Sequence, residues 1–276
     1  MNPLILIRGG GDLASGVAVR LHRIGFQIII IELESPLAVR RTVSFSEAIY
    51  EGVQTIEDIT ARLVSPDQLQ VTMEAGEIPI MADPEANTLR NQFLTSPQST
   101  IVIDARLLKK EPEVLPVEVP LHIGLGPGIS AGENCHAVIE TRRGHTLGRV
   151  YWEGSALADS GNPDGDPRRV LRAANNGKII AHINIGDQIK EGDLVAEIQS
   201  IEGENSQVIS PIAGVLRGII RPGIEVTEGI KIADVDPRND PSACFLVSDK
   251  SLAVAGGVME AVFTYLRTIE DLPTTY

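Results

Sequence analysis

The chain's strongest chemical signal lies in Arg8-Gly9-Gly10-Gly11-Asp12-Leu13-Ala14, where Gly9, Gly11 and Ala14 satisfy the form GxGxx(G/A). Small residues at this spacing permit a tight turn and let backbone N–H groups approach a phosphate at the positive end of a helix. Arg8 either contacts that phosphate or closes the sheet edge with charge. Glu32 ends the next apolar run, where a carboxylate accepts hydrogen bonds from ribose hydroxyls and disfavours a 2′-phosphate. Arg40 and Arg41 form the best basic pair for an anionic ligand, because guanidinium groups bind phosphate bidentately. Solvated bridging to nearby Glu residues is the alternative. Asp104 and Arg106 join the same crevice or pair with each other. Gly124-Leu125-Gly126-Pro127-Gly128 is a second glycine turn, with Gly126 and Gly128 as anion-binding positions. Pro127 removes a donor and no Lys-Ser/Thr pair follows, which disfavours a P-loop NTPase.

Cys135, His136 and His145 are the densest group of soft or imidazole-bearing residues. A metal or chalcogen site would need a thiolate and neutral imidazoles to converge there, and the spacing matches no zinc pattern, so no metal is expected. His136, His145 and Lys250 are the proton donors that an oxidoreductase reading would use, and a thiol or selenium-transfer role for Cys135 is a side expectation.

The elements that must position these residues follow from apolar patterning. Leu4 to Ile7 and Gln27 to Ile31 are short aliphatic runs suited to buried parallel strands, while Val17, Leu21 and Ile24 recur at helical spacing before Gly25. This βαβ unit predicts an α/β, Rossmann-like amino-terminal domain over residues 1–165, with a β excursion from Glu57 to Met81 that includes Gln70 to Met73. A helix is expected from Pro84 to Leu94, a strand from Thr100 to Arg106, and a hairpin joining His136–Thr141 to Thr146–Trp152 through Arg142-Arg143-Gly144-His145. Residues 158–169 are rich in Asp, Gly, Pro, Asn and Ser, as linkers are. A small-residue helix from Ser251 to Phe263 defines a carboxy-terminal helical segment, 238–276, packing on the first domain.

Composition bounds the function. With 24 Lys and Arg against 37 Asp and Glu, the net charge is -13, which argues against nucleic acid and anionic membranes as partners. No apolar run approaches the roughly 20 residues of a bilayer span, no signal peptide opens the chain, and two cysteines are too few for a disulfide framework, so a cytoplasmic protein is expected. An acidic two-module chain with sheet edges also favours a homo-oligomer.

Residues 177–235 contain an internal repeat at an offset of 37, with glycine intervals of nine and then six in both halves. Ile183 aligns with Ile220, Glu191 with Glu228, and Ala196 with Ala233. Two such halves can interlock so that each covers the other's apolar face. Residues 170–236 resemble the biotinyl/lipoyl carrier fold, a barrel-sandwich hybrid, so a small all-β module is expected over 166–237. The hairpin Ser200 to Ser206, with Glu202 and Glu204, lacks the carrier lysine, so no covalent biotin or lipoate is expected.

Taken together, Ile7 to Ala14, Pro36 to Phe45, Gly124 to Gly128 and Asp249-Lys250 resemble the accessory proteins of selenium-dependent molybdenum hydroxylase systems. That resemblance implies a maturation role for a molybdenum hydroxylase client, with a nucleotide (NAD-like) or molybdopterin-dinucleotide-type cofactor as the phosphate-bearing ligand. An NAD-dependent oxidoreductase and a non-catalytic structural adaptor are the alternatives.

Overall fold

Leu4–Arg8 is aliphatic until its last residue because both faces of the strand it forms are covered. In the computed structural model, which describes residues 3–90, 100–159, 161, 165–200 and 203–270, it becomes the central strand of a nine-stranded sheet. The chain begins β1 (Leu4–Arg8), α1 (Asp12–Arg23), β2 (Ile28–Glu32), α2 (Ala48–Glu51), β3 (Val53–Ile56), β4 (Ile59–Leu63) and α3 (Leu69–Glu74). It continues β5 (Ile78–Ala82), β6 (Thr100–Asp104), β7 (Leu121–Leu125), β8 (Ser130–Ala131), β9 (Ala137–Ile139), β10 (Val150–Tyr151) and β11 (Gly154–Ser155). Strand order in the large sheet is β10-β9-β7-β6-β1-β2-β5-β4-β3.

Successive side chains of a strand point to opposite faces. Ile5 and Ile7 therefore join Val17, Ala18 and Leu21 of α1 in the main core, while Leu6 meets Ile29, Ile31, Val102 and Leu69 on the other side. The last strands, β12 (Val170–Arg172) to β19 (Lys231–Asp236), are followed by α4 (Asp249–Glu270), whose Val254, Val258 and Val262 pack into the main core. By length and composition alone α4 could span a bilayer, but its apolar stripe is buried here against α1 and the sheet.

Between β12 and β19 lie β13 (Gly177–Ala181), β14 (Gln188–Ile189), β15 (Leu194–Gln199), β16 (Ser206–Ile209), β17 (Gly214–Ile219) and β18 (Glu225–Val226). They form two four-stranded antiparallel sheets, β12-β19-β17-β14 and β16-β15-β13-β18, around one shared core. The two repeat halves exchange strands, since β14 of the first pairs with β17 of the second and β18 of the second pairs with β13 of the first.

The expected combination of a Rossmann-like domain with a barrel-sandwich hybrid is corrected by this architecture. The fold is mixed α/β, with one large mixed sheet and several small antiparallel sheets. Among the described residues, only β1 and β2 are joined by a long crossover helix, β3 and β10 run antiparallel to their neighbours at the two edges, and the face away from α1 carries only short helices and turns. A doubly wound domain needs helices on both faces of a parallel sheet, which this order of elements does not supply. In the small sheets, β12 and β16 add strands beyond the three of each repeat half.

Two local expectations also change. Gln70 to Met73 belongs to α3, because Ser65 and Gln68 form a capping box with Pro66 in the first turn and start a helix there. The helix expected from Pro84 to Leu94 appears as a 3-10 turn over Asn87–Arg90, with residues 91–94 outside the described residues. Ile201 and Glu202 of the repeat hairpin lie outside them as well.

The small sheets are fixed to the large one at several points. Arg41 Nε donates to the Ile219 carbonyl at 2.8 Å, Thr42 Oγ1 to the Cys244 carbonyl at 2.6 Å, and Arg221 pairs with Glu47 and Glu51 while stacking over Tyr50. Gly218 is required by close approach, since a Cβ there would lie 2.5 Å from the Val39 carbonyl oxygen.

Candidate functional site

The first glycine turn spends most of its polar groups on the protein itself. Gly9, at a φ of +97° that favours glycine, donates its N–H to Ile31, and the Gly10 N–H is taken by the Glu32 carboxylate at 2.6 Å. The other Glu32 oxygen accepts from Leu33 N–H at 2.7 Å, so both oxygens are occupied by backbone. Burial pushes the Glu32 carboxyl above its ordinary value, and these two N–H bonds oppose that. A Cβ at Gly10 would lie 2.9 Å from Ser46 N, so this glycine admits the 44–47 segment rather than a pyrophosphate. Leu13 and Ala14 are buried in α1, Gly11 and Asp12 line one cleft, and Arg8, Gly9 and Gly11 line a second.

The neighbouring charges are likewise committed. Arg8 and Asp104 are buried together, Nη1 to Oδ2 3.6 Å, and Arg106 clamps Asp104 with contacts of 2.9 and 2.6 Å. Arg106 also holds Glu113 at 2.8 Å. Burial, then the Arg106 charge, lowers the Arg8 pKa, against the pull of Asp104. Of the two readings offered for Asp104 and Arg106, the ion pair is the one the geometry displays. This network walls an apolar crevice of about 440 Å³ beside Glu32.

The second glycine turn is shaped by packing. A Cβ at Gly128 would lie 2.3 Å from the Leu108 carbonyl oxygen, and the Gly126 N–H donates to Ile139 at 3.3 Å. Cys135 Sγ donates to the Ala137 carbonyl at 3.3 Å, and burial pushes its thiol up to about 12, which leaves no thiolate at neutral pH. His136 Nδ1 accepts the His122 N–H at 2.9 Å, and His145 is exposed in the β9–β10 connection. Among the described residues, no three His, Cys, Asp or Glu side chains converge as a metal site would require.

The site that does assemble was only partly legible in the sequence. It is a cleft of about 500 Å³ where the amino-terminal ends of α1 and α4 meet the β12-β19-β17-β14 sheet. Seven cationic residues line it, Arg40, Arg142, Arg143, Arg169, Arg217, Lys231 and Lys250, against Asp12, Asp159 and Asp234. Gly11 and Asp12 begin α1, and Ser248 and Lys250 flank the start of α4, so both helix dipoles present their positive ends to it. Arg40 and Arg41 part company: Arg40 lines the cleft, and Arg41 faces Ile219 as described above.

Arg217 reaches the cleft through a β-bulge. Leu216 pairs with Val235 and Gly218 with Asp234, so Arg217 is the extra residue of β17, and bulges re-aim side chains in this way. Arg40 and Arg217 are each only 8% exposed, and the Nε of each lacks a hydrogen-bond partner. Arg217 Nη1 stands 3.5 Å from Asp236, a carboxylate that Arg238 already holds at 2.6 Å. Arg40 is tied more firmly, to the Ala243 and Leu246 carbonyls at 3.2 Å and to Asp12 at 3.6 Å. Burial, then the Arg217 charge, lowers the Arg40 pKa. Two buried like charges that repel one another, each with an unused donor, define a place for an anion.

No family model matches the chain. It is 42% identical over 270 residues to the uncharacterized protein YqeB of Escherichia coli (strain K12), an alignment that takes in 96% of this chain and 48% of that protein. The chain thus spans about half the length of this curated relative. Among solved structures, the product-bound ectoine utilization protein EutE (DoeB) from Ruegeria pomeroyi aligns at 10% identity and a TM-score of 0.25, over 84% of this chain and 56% of that one. An aspartoacylase family protein from Mesorhizobium loti aligns at 11% identity and a TM-score of 0.26, over 85% of each chain. A succinylglutamate desuccinylase from Silicibacter sp. TM1040 gives 14% identity and a TM-score of 0.26, over 85% of this chain and 84% of that one. Likeness this slight transfers no activity.

The resemblance to molybdenum hydroxylase accessory proteins is corrected here. The solved structures named above are an ectoine utilization protein, an aspartoacylase family protein and a succinylglutamate desuccinylase, and the curated relative is uncharacterized. At the turn that both the maturation role and the NAD-dependent oxidoreductase would use, the Gly10 and Leu33 N–H groups occupy the two Glu32 oxygens and the Ser46 backbone lies against Gly10. Neither is retained, nor is the structural adaptor, which leaves the cationic cleft without a purpose.

Proposed function

We propose that the chain binds a small phosphate-bearing metabolite in the cleft between α1, α4 and the β12-β19-β17-β14 sheet. The observation that carries this reading is Arg217, swung by a bulge into a buried position beside Arg40 with its Nε unpartnered. In a chain of net charge -13, such a concentration of cations is a local inversion of the overall field. Arg40 and Arg217 supply charge-assisted hydrogen bonds, and the helix ends at Gly11 and Ser248 add backbone dipoles. A cytoplasmic setting is proposed with it, in keeping with two free cysteines.

Calorimetric titration with inorganic phosphate and pyrophosphate at low ionic strength tests this. Arg217→Met keeps most of the apolar stem and removes the fork, so phosphate binding is expected to weaken roughly 10- to 100-fold, from a loss of about 1.5–3 kcal/mol. Absence of heat and of any thermal shift with both anions would overturn the proposal.

A further inference from the structure

We propose that Asp234 is a specificity-determining residue of this cleft, selecting a phosphate whose attached group carries an O–H or N–H donor over a phosphate that lacks one. The proposal rests on the anion-binding reading above and names the class of ligand. Asp234 lines the cleft and is 3% exposed. Its Oδ2 accepts from Arg169 at 2.8 Å and from Lys231 at 3.3 Å, which holds the carboxylate in place and balances its charge. Its Oδ1 has no hydrogen-bond partner.

The unused groups around this cleft are therefore of two kinds. Arg40 Nε and Arg217 Nε are donors that require an acceptor, and Asp234 Oδ1 is an acceptor that requires a donor. A phosphate monoester dianion with no other polar group can answer the arginines, yet it has no proton to offer a buried carboxylate and is repelled by it. A ligand with a hydroxyl or amine near its phosphate answers all three. Sites built to hydrogen-bond a substrate hydroxyl reject analogues that lack it far more strongly than apolar pockets reject a missing methylene. The pairing register supports a concerted arrangement, since Asp234 of β19 stands opposite Gly218, next to Arg217 of the bulge.

The test compares glycerol 3-phosphate with propyl phosphate, which share a carbon skeleton and differ in two hydroxyls, with inorganic phosphate as the reference anion. The wild-type protein is expected to bind glycerol 3-phosphate at least about tenfold more tightly than propyl phosphate. In Asp234→Asn the amide oxygen remains with Arg169 and Lys231, so the NH2 group replaces Oδ1 and presents a donor where an acceptor is needed. The preference for glycerol 3-phosphate over propyl phosphate is then expected to fall at least several-fold, because an amide N–H offers a ligand hydroxyl only a neutral hydrogen bond in place of a charge-assisted one. Asp234→Ser provides a second variant with the same expected loss should the first fail to fold. Equal binding of the two organic phosphates by the wild type, with inorganic phosphate bound, would overturn this inference and leave the anion site standing. An undiminished preference in the folded variants would also overturn it. Failure of inorganic phosphate to bind removes the anion site itself and the selectivity with it.

Discussion

His122 lies on β7 beside β6, buried, with Nε2 unpartnered and its N–H given to His136. Burial, then the neighbouring His136 and Arg8, holds its pKa down to about 4, against the attraction of Asp104. An unfolded histidine titrates near 6.5, so between about pH 6.5 and pH 4 the unfolded chain binds the proton that the folded chain refuses. Stability should therefore fall on acidification across that window, by about 3 kcal/mol from this group, and be indifferent to it above. Urea denaturation from pH 7 to pH 4.5 checks this, with His122→Leu expected to flatten the slope. At this scale Arg40 was legible, because loops beyond a parallel strand face the ligand crevice. Arg41 was not, because its partner carbonyl lies 178 residues further along the chain. Nor was Arg217, although a signal existed: at the repeat offset of 37 it replaces Ile180, an arginine where the other half keeps an aliphatic residue. Glu32 ends its strand as its position suggested, and nothing in its spacing says that Gly10 and Leu33 will occupy both oxygens.

Among elements, α1 and α4 form the tightest dependence. Gly16 of α1 faces Ser251 of α4, and a Cβ there would come within 2.6 Å of the Ser251 Cβ and 3.0 Å of Val247 Cγ1. Ser251 Oγ also donates to the Asp12 carbonyl at 3.1 Å, which sets the distance between the two helix starts that border the cleft. Gly16→Ala should destabilise the protein by about 1–3 kcal/mol through overpacking, despite the better helix propensity of alanine, as measured by the denaturant midpoint. It should also loosen phosphate binding, since both helix ends move. The βαβ unit at residues 4–32 was readable because its strands are unbroken aliphatic runs and its helix has one apolar stripe. The bulge in β17 was not, because hydrophobic alternation gives no sign of one extra residue.

Across the whole molecule, the small sheets are fastened to the large one by partly buried polar contacts. Thermal unfolding should therefore show one cooperative transition, and removal of the fastenings in the double variant Arg41→Ala, Arg221→Ala should split or broaden it in calorimetry. The linker-like composition of residues 158–169 gave no hint of this coupling, since composition reports solvation and not what docks across it. The long-range partners of Arg41, Thr42 and Glu47 lie in the last third of the sequence, and only folding brings them together.

Strand exchange between the repeat halves carries a historical consequence. A single ancestral half could have hidden its oily side only against a twin, giving a symmetric pair with one residue type at both equivalents of positions 180 and 217. Joining two halves in one chain frees those positions from sharing one identity. One is aliphatic and the other a guanidinium, so whatever chemistry Arg217 performs requires the two halves to be unlike.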